Sequence, residues 1–213
     1  MNRQEHEDEV RNKIIKATRR LFIEQGYHQT TIRQIQAKAN VKTGTLYHFY
    51  KNKEDIFYNV VRQTFFRTQK YTQGLVGKNN KILHLACEMA WHIHLMSMHA
   101  PSAELYLMSY NSPRIAANMI EEQALRSQAI FKETANCFTS QDHEMRAMMT
   151  KGFLQSVAQR AVQGKLKDAK MVIKHGINLS FGLFDVSKKD INKMLNKLEK
   201  LNIEAHIQKF INI

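Results

Sequence analysis

The sequence has few of the residues that make tight turns. Its 213 residues include 8 glycines and 2 prolines, against average usages of roughly 7% and 5%. An all-β sandwich needs many tight turns and a phosphate-binding loop needs glycines, so both are disfavoured. Apolar residues make up 43% of the chain, which is enough to form a folded core. Long helices joined by short connections are therefore expected.

Other absences limit the chemistry. The two cysteines, Cys87 and Cys137, lie far apart in the sequence, so neither a zinc ribbon nor a dithiol redox motif is available, and we expect reduced thiols. The polar N-terminus lacks the apolar segment of a secretory signal, and no apolar run approaches a membrane span. We find no nucleophile–base motif and no Walker loop. The sequence thus predicts a cytoplasmic protein that is not an enzyme, with no catalytic residues, no metal, no cofactor and no membrane partner.

The positive charge is concentrated in one segment. The net charge is +13, and residues 11–53 contain ten Lys or Arg and a single acid, Glu24. A field of this sign attracts polyanions, either nucleic acid or an anionic membrane surface. A second, more dilute basic region at 146–200 has twelve bases and four acids. That region is either a solvated face or a feature that favours an anionic effector.

Capping pairs and helical periodicity predict an all-α fold of about nine or ten helices. The first helix ends near Gly26, the second begins at Thr30 or Thr31 with Gln34 as capping partner, and the third begins near Thr43. Asn52 and Asp55 cap a fourth helix over 53–73. Further helices are predicted at about 80–99, 102–110, 113–138, 139–163 and 168–185, and a last one runs from Ser187 to Ala205. The expected architecture is a three-helix N-terminal unit, a linking helix and a larger helical bundle.

The spacing of the second and third helices is that of a helix-turn-helix. Short polar side chains at the start of a recognition helix allow its backbone to enter the major groove, and flanking basic and hydroxyl groups can contact phosphates. The candidate DNA-binding residues are Thr30, Thr31, Arg33, Lys42, Thr43, Gly44, Thr45, Tyr47, His48 and Lys53. The alternative is that these are solvated groups on a compact helical domain.

The stretch GYHQTTIRQIQAKANV, followed by KTGTLYHFYKNKEDIF, resembles the DNA-binding region of the tetracycline-repressor (TetR) family over about residues 10–60. The resemblance implies base contacts from Thr43 and Thr45, and phosphate contacts from Tyr47, Lys53 and the cap formed by Thr30 and Thr31. Three positions depart from the family pattern. Asn40 replaces a frequent glycine, Lys42 replaces a frequent serine cap, and Phe49-Tyr50 inverts the usual order, so His48 or Tyr50 is expected to replace the missing phosphate contact.

The resemblance implies a ligand-responsive repressor that leaves a palindromic operator in double-stranded DNA when a small-molecule effector binds. It divides the chain into a DNA-binding domain at 1–53, linked by the helix at 53–73, and an effector-binding and dimerisation domain at 54–213. A palindromic site requires two related recognition helices, so a homodimer is expected. The alternative function is non-specific, nucleoid-type DNA binding.

The C-terminal bundle offers candidates for both of its implied roles. Flexible methionines and aromatic residues suit an adaptable pocket for an apolar or anionic effector, although they equally suit an ordinary core. The pocket candidates are Met89, Trp91, Ile93, Met96, Met108, Phe131 and Met148. The dimer candidates, on the eighth and ninth helices, are Phe153, Val157, Gly176, Ser180, Phe181, Gly182 and Phe184. His84, Glu88 and His92 share a helix face that a metal could use, but a solvated polar face is favoured.

Overall fold

A computed structural model of the chain describes residues 2–132 and 138–211, with the backbone alone at residue 211. The described residues form an all-α fold with no strand, which confirms the predicted fold class. The helices are α1 (Arg3–Gln29), α2 (Ile32–Ala39), α3 (Thr43–Phe49), α4 (Lys53–Val76), α5 (Lys81–Met98), α6 (Ala100–Asn111), α7 (Pro113–Phe131), α8 (Ser140–Val162), α9 (Ala169–Gly182), α10 (Lys188–Lys200) and α11 (Ile203–Ile211). Within the described ranges, no helix is long and apolar enough to cross a membrane.

The chain divides into two compact units, Met1–Arg67 and Thr68–Ile213. The first unit contains α1 to α3 and most of α4, and the second contains the end of α4 and α5 to α11. This division describes packing. The assignment of DNA binding to 1–53 and of effector binding and dimerisation to 54–213 remains a prediction about what each part does.

The first unit follows its local sequence signals closely. Thr31 caps α2 and Gln34 completes the capping box, as predicted. Asn52 accepts from the Asp55 backbone N–H at 2.8 Å at the start of α4. Gly26 has a φ of 80° and interrupts the helical geometry of α1, which resumes for a short stretch up to Gln29. The core is closed by fully buried apolar side chains from all four helices: Ile14, Phe22, Ile35, Leu46 and Ile56.

The second unit is organised around α5. Every residue from Leu83 to Met96 is buried, because α6, α8, α9, α10 and α11 all pack against this helix. A helix that is covered on all sides has no solvated face. The predicted solvated polar face of His84, Glu88 and His92 is therefore wrong.

The C-terminal end also differs from the prediction. The single last helix from Ser187 to Ala205 is two helices, α10 and α11, separated at Leu201 and Asn202. Asn202 adopts a positive φ of 44°, a left-handed conformation that Asn tolerates and that ends a helix. The predicted end of the seventh helix and Cys137 lie outside the described residues.

Candidate functional site

The helix pair α2 and α3 is held by a small apolar contact and a left-handed turn. Ile35 on α2 and Leu46 on α3 have no exposed surface. Between the helices, Asn40 has φ 52° and ψ 53°, and its N–H donates to the carbonyls at the end of α2. Asparagine accepts this conformation better than most residues, so the turn keeps its geometry without the frequent glycine.

The outer side of α3 presents the side chains expected to meet base edges. Thr43, Gly44, Tyr47 and His48 are exposed, and Thr45 is half-buried. Tyr47 keeps 52% of its surface exposed, which leaves a large aromatic group free to contact a partner. Tyr50 is buried at 4% exposure. Of the two expected replacements for the missing phosphate contact, only His48 therefore faces solvent.

The two threonines at the α1–α2 corner have different roles. Thr31 is exposed, and its Oγ1 accepts from the Gln34 N–H at 3.3 Å. Thr30 is fully buried, its hydroxyl donates to the Gly26 carbonyl at 2.8 Å, and its N–H donates to the Tyr27 carbonyl. The structure thus corrects the expectation for Thr30, whose polar groups hold the corner instead of facing a phosphate.

Lys53, at the start of α4, is tied to the same corner. Its Nζ donates to the carbonyls of Tyr27 and Thr30, both at 3.0 Å, and lies 4.1 Å from the Tyr27 ring centroid. Burial lowers the pKa of Lys53. An ammonium has three donor hydrogens, so at most one remains for a phosphate.

The remaining basic candidates, Arg33 and Lys42, are exposed. Lys38 instead pairs with Glu24, the single acid of the segment, at 2.5 Å. The structure thus brings together an exposed polar helix, a helix start capped by a hydroxyl group, and exposed cations. An arrangement of this kind suits phosphate positioning combined with base readout.

Residues 14–60 match the family model of the bacterial regulatory proteins of the tetR family. Over this segment the chain is similar to the TetR family. The HTH-type transcriptional regulator HbdR of Aromatoleum sp. is 34% identical over 85 residues, which cover 39% of this chain and 37% of the relative. The HTH-type transcriptional repressor AcnR of Corynebacterium diphtheriae is 24% identical over 122 residues, covering 57% and 62%. The chain thus spans less than two thirds of either relative.

Most of the chain has a counterpart in fold among solved structures. The transcriptional regulator FadR from Bacillus subtilis, in complex with stearoyl-CoA, matches with a TM-score of 0.53 at 18% identity. The match covers 80% of this chain and 96% of that chain. At this identity the likeness concerns the fold alone.

The predicted effector-pocket residues do not form one group. Met89, Trp91, Ile93, Met96 and Phe131 are buried in the second unit, and Met108 is half-buried. Trp91 packs against Tyr71 and Phe210, with ring centroids 5.0 and 5.1 Å away, whereas Phe131 stacks on Phe184 at 4.2 Å. Met148 is 46% exposed on α8, so it does not line an interior pocket.

A cluster of buried polar side chains, which sequence reasoning missed as a site, joins α4, α5 and α7. Arg126 donates to both carboxylate oxygens of Glu88, at 2.9 and 2.7 Å. His84 Nε2 lies 2.9 Å from Glu88, 2.9 Å from the Gln69 carbonyl and 3.1 Å from the Thr72 hydroxyl. Because its neighbours include two groups that can only accept, Nε2 carries a proton. We call Glu88, Arg126 and His84 the buried ionic cluster.

The ionisation of Glu88 is set by these partners. Burial acts to raise its pKa, but hydrogen bonds from His84 and Arg126 and the Arg126 charge outweigh it and hold the pKa at about 2. Glu88 is therefore a carboxylate at neutral pH although it is only 6% exposed. Perturbed ionisable groups inside a helical bundle are candidates for a functional site.

Two further polar side chains extend the cluster towards α6. His92 Nδ1 lies 2.5 Å from the Tyr106 hydroxyl, and burial lowers the pKa of His92 to about 4, so the ring is neutral at pH 7. The nearby Tyr110 is 2% exposed, and its hydroxyl has no hydrogen-bond partner among the described residues. Among those residues, no three His, Cys, Asp or Glu side chains are placed to hold a metal ion.

Most of the predicted dimer residues are buried inside the protomer itself. Val157, Ser180, Phe181 and Phe184 are at most 9% exposed, and a Cβ on Gly176 would lie 2.5 Å from the Phe153 ring. Of the seven, only Gly182 is exposed. Exposed apolar residues on α8 and α9 are Met145, Met148, Met149, Val162, Met171 and Leu179. Four of them together with Gly182 form what we call the methionine face: Met145, Met148, Met149, Leu179 and Gly182.

One signal in the sequence could have found the buried ionic cluster. Glu88 is the only acid in α5, and it stands one helical turn from a histidine on either side in an otherwise apolar segment. A helix with so many apolar residues around it is covered on all sides, and a carboxylate in a covered helix needs a cation. No pattern in the sequence indicated that the cation is Arg126, because it lies 38 positions from Glu88.

Proposed function

We propose that this chain is a sequence-specific DNA-binding transcriptional repressor, which acts as a homodimer on a palindromic operator and is released by a small-molecule effector. The observation that carries this proposal is the exposed polar side of α3 next to the α2 cap, within a segment that contains a single acid. The names of the relatives HbdR and AcnR as HTH-type transcriptional regulators support it.

We place effector binding at the buried ionic cluster and at the neighbouring Tyr106 and Tyr110. A buried ion pair gains little stability over apolar packing, so its presence is better explained by recognition of a ligand. Arg126 has a partly exposed side chain, 28% against 8% for Glu88, so an incoming anion would meet the guanidinium first. The stearoyl-CoA held by the structural relative FadR is an example of an anionic ligand with an apolar chain.

Selection of bound fragments from a genomic library separates this function from non-specific DNA binding. A regulator of the proposed kind enriches one palindrome whose half-sites are about one helical turn apart or a multiple of it. A nucleoid-type protein enriches no sequence, and that outcome would overturn the proposal.

Replacing Thr45 with alanine should remove preference for the selected site. The hydroxyl and methyl of Thr45 lie on the half-exposed side of α3, where loss of a base contact costs about 1–3 kcal/mol of discrimination. Binding to the selected site and to a scrambled site is measured by fluorescence anisotropy. Lys16→Ala, an exposed cation on α1, is the control and should keep the preference. Unchanged discrimination in Thr45→Ala would show that another part of α3 reads the bases.

Replacing Lys53 with alanine should have two effects. Stability should fall by about 1–2 kcal/mol, because two carbonyls lose a charged donor. Affinity should fall for all DNA sequences alike, and the slope of log K against log salt should decrease by about one. Chemical unfolding measures the first effect and a salt titration the second. A stability loss with an unchanged salt slope would make Lys53 a purely structural residue.

A further inference from the structure

A polar groove lies in the second unit between α5, α9, α10 and the start of α11. Its volume is about 1100 Å³, which is ample for a small molecule. Its lining includes none of the residues that we assign above to DNA, to the effector or to the methionine face. We call it the α9–α10 groove.

The two walls of the groove carry opposite charges. Lys170 and Lys174 line it from α9, and Glu199 and Glu204 line it from α10 and α11. Among the described residues, neither lysine forms an ion pair, and Glu199 forms none. Asp168 also lines the groove at the start of α9, where its carboxylate accepts from the Met171 N–H at 2.9 Å and keeps its negative charge, so the two lysines outnumber one acid on this wall. The charges therefore face the groove without neutralising each other.

A buried histidine forms part of the floor on the acidic side. His94 is 7% exposed, and its Nδ1 has no hydrogen-bond partner among the described residues. That nitrogen lies 3.4 Å from Oε1 of Glu204. Burial lowers the pKa of His94, an effect that Glu204 partly opposes, so the ring is neutral at pH 7 and the contact is not an ion pair. The groove therefore has a neutral imidazole next to a carboxylate on its acidic side.

We propose that the α9–α10 groove binds a small zwitterionic ligand that carries an ammonium and a carboxylate. The ammonium donates to the carboxylate of Glu204, which lies beside His94. The carboxylate binds Lys170 and Lys174 on the opposite wall. The side-chain amides of Asn192 and Asn196, which also line the groove, offer further donors and acceptors. This site is separate from the proposed function and does not depend on DNA binding.

The test uses 6-aminohexanoate as the probe, with hexylamine and hexanoate as analogues that lack one of the two charges. Binding to the full chain is followed by isothermal titration calorimetry. We expect 6-aminohexanoate to bind at least about tenfold more tightly than either analogue, because each loses one set of charge-assisted hydrogen bonds. Glu204→Gln and Lys174→Gln should each weaken the binding of 6-aminohexanoate by roughly tenfold. Both positions are exposed, so neither change should disturb folding.

Matched controls are Glu144→Gln on α8 and Lys200→Gln on α10, which remove the same charges at exposed positions outside the groove lining. These variants should bind the probe as the unmodified chain does. Three results would overturn the proposal: no saturable binding of 6-aminohexanoate, equal binding of hexanoate alone, or unchanged binding in both groove variants. Operator binding is measured separately, so the proposed DNA-binding function can be confirmed or overturned independently of these results.

Discussion

Replacing Arg126 with methionine is expected to lower the free energy of unfolding by about 3–5 kcal/mol. The change leaves the Glu88 carboxylate buried and removes two of its hydrogen bonds. Glu88→Met should cost less, because the partly exposed Arg126 can turn its guanidinium to water. Urea unfolding followed by tryptophan fluorescence measures both values, since Trp91 is the single tryptophan and lies in the second unit.

The double variant separates the contribution of the ion pair to stability from the contribution of side-chain packing. Glu88→Met with Arg126→Met should lie within about 1 kcal/mol of the unmodified chain, because apolar side chains of similar volume often replace a buried ion pair without loss. Arg160→Met, at an exposed position on α8, is the control and should change stability little. If Arg126→Met alone costs less than about 1 kcal/mol, Glu88 is not held as a buried carboxylate.

The same pair predicts a pH dependence. The pKa of Glu88 is held at about 2 in the folded chain, below its ordinary value of 4.5, so folding favours the ionised form. This contribution is fully present above pH 4.5 and is lost as pH falls towards 2. The stability gap between the unmodified chain and Arg126→Met should therefore narrow over that range. A gap that stays constant would assign the effect to packing alone.

The helix-turn-helix unit was predictable because its signals are local. The capping of α2 by Thr31 and Gln34, the cap at Asn52 and the left-handed Asn40 each depend on residues within four positions of one another. Such pairs form from the backbone geometry of a single helix end. The sequence also placed Thr43, Tyr47 and His48 on the outer side of α3, because that side follows from periodicity once the buried Leu46 is identified.

The second unit was less predictable because its decisive contacts are distant in sequence. Periodicity gave α5 one apolar stripe, whereas five other helices cover it on every side. The histidines and Glu88 are therefore buried, and their partners, such as Arg126, come from other helices. The same distance in sequence explains why Ser180 and Phe181, predicted to lie in a dimer interface, are instead buried within the protomer. Small and bulky residues on α9 indicate close packing, but they do not say whether the packing partner is the same protomer or a second copy.

Replacing Gly182 with arginine should convert a homodimer into a monomer. We propose that the methionine face on α8 and α9 pairs with its copy, because these two helices run side by side through Thr150–Ser180 and Arg146–Leu183 contacts while their apolar side chains stay exposed. A side chain at position 182 has open space around its Cβ, and a cation suits the C-terminal end of α9. The protomer should therefore fold normally while a charge enters the paired surface.

The loss of pairing should be visible in DNA binding as well as in size. A monomer engages one half-site at a time, so affinity for the palindrome should fall by at least about a hundredfold, while affinity for an isolated half-site should change little. Sedimentation velocity measures the mass, and anisotropy with both DNAs measures the affinities. Gly74→Arg introduces the same charge at an exposed, open position on α4 and should remain dimeric. A Gly182→Arg protein that stays dimeric and binds the palindrome normally would move the pairing surface away from the methionine face.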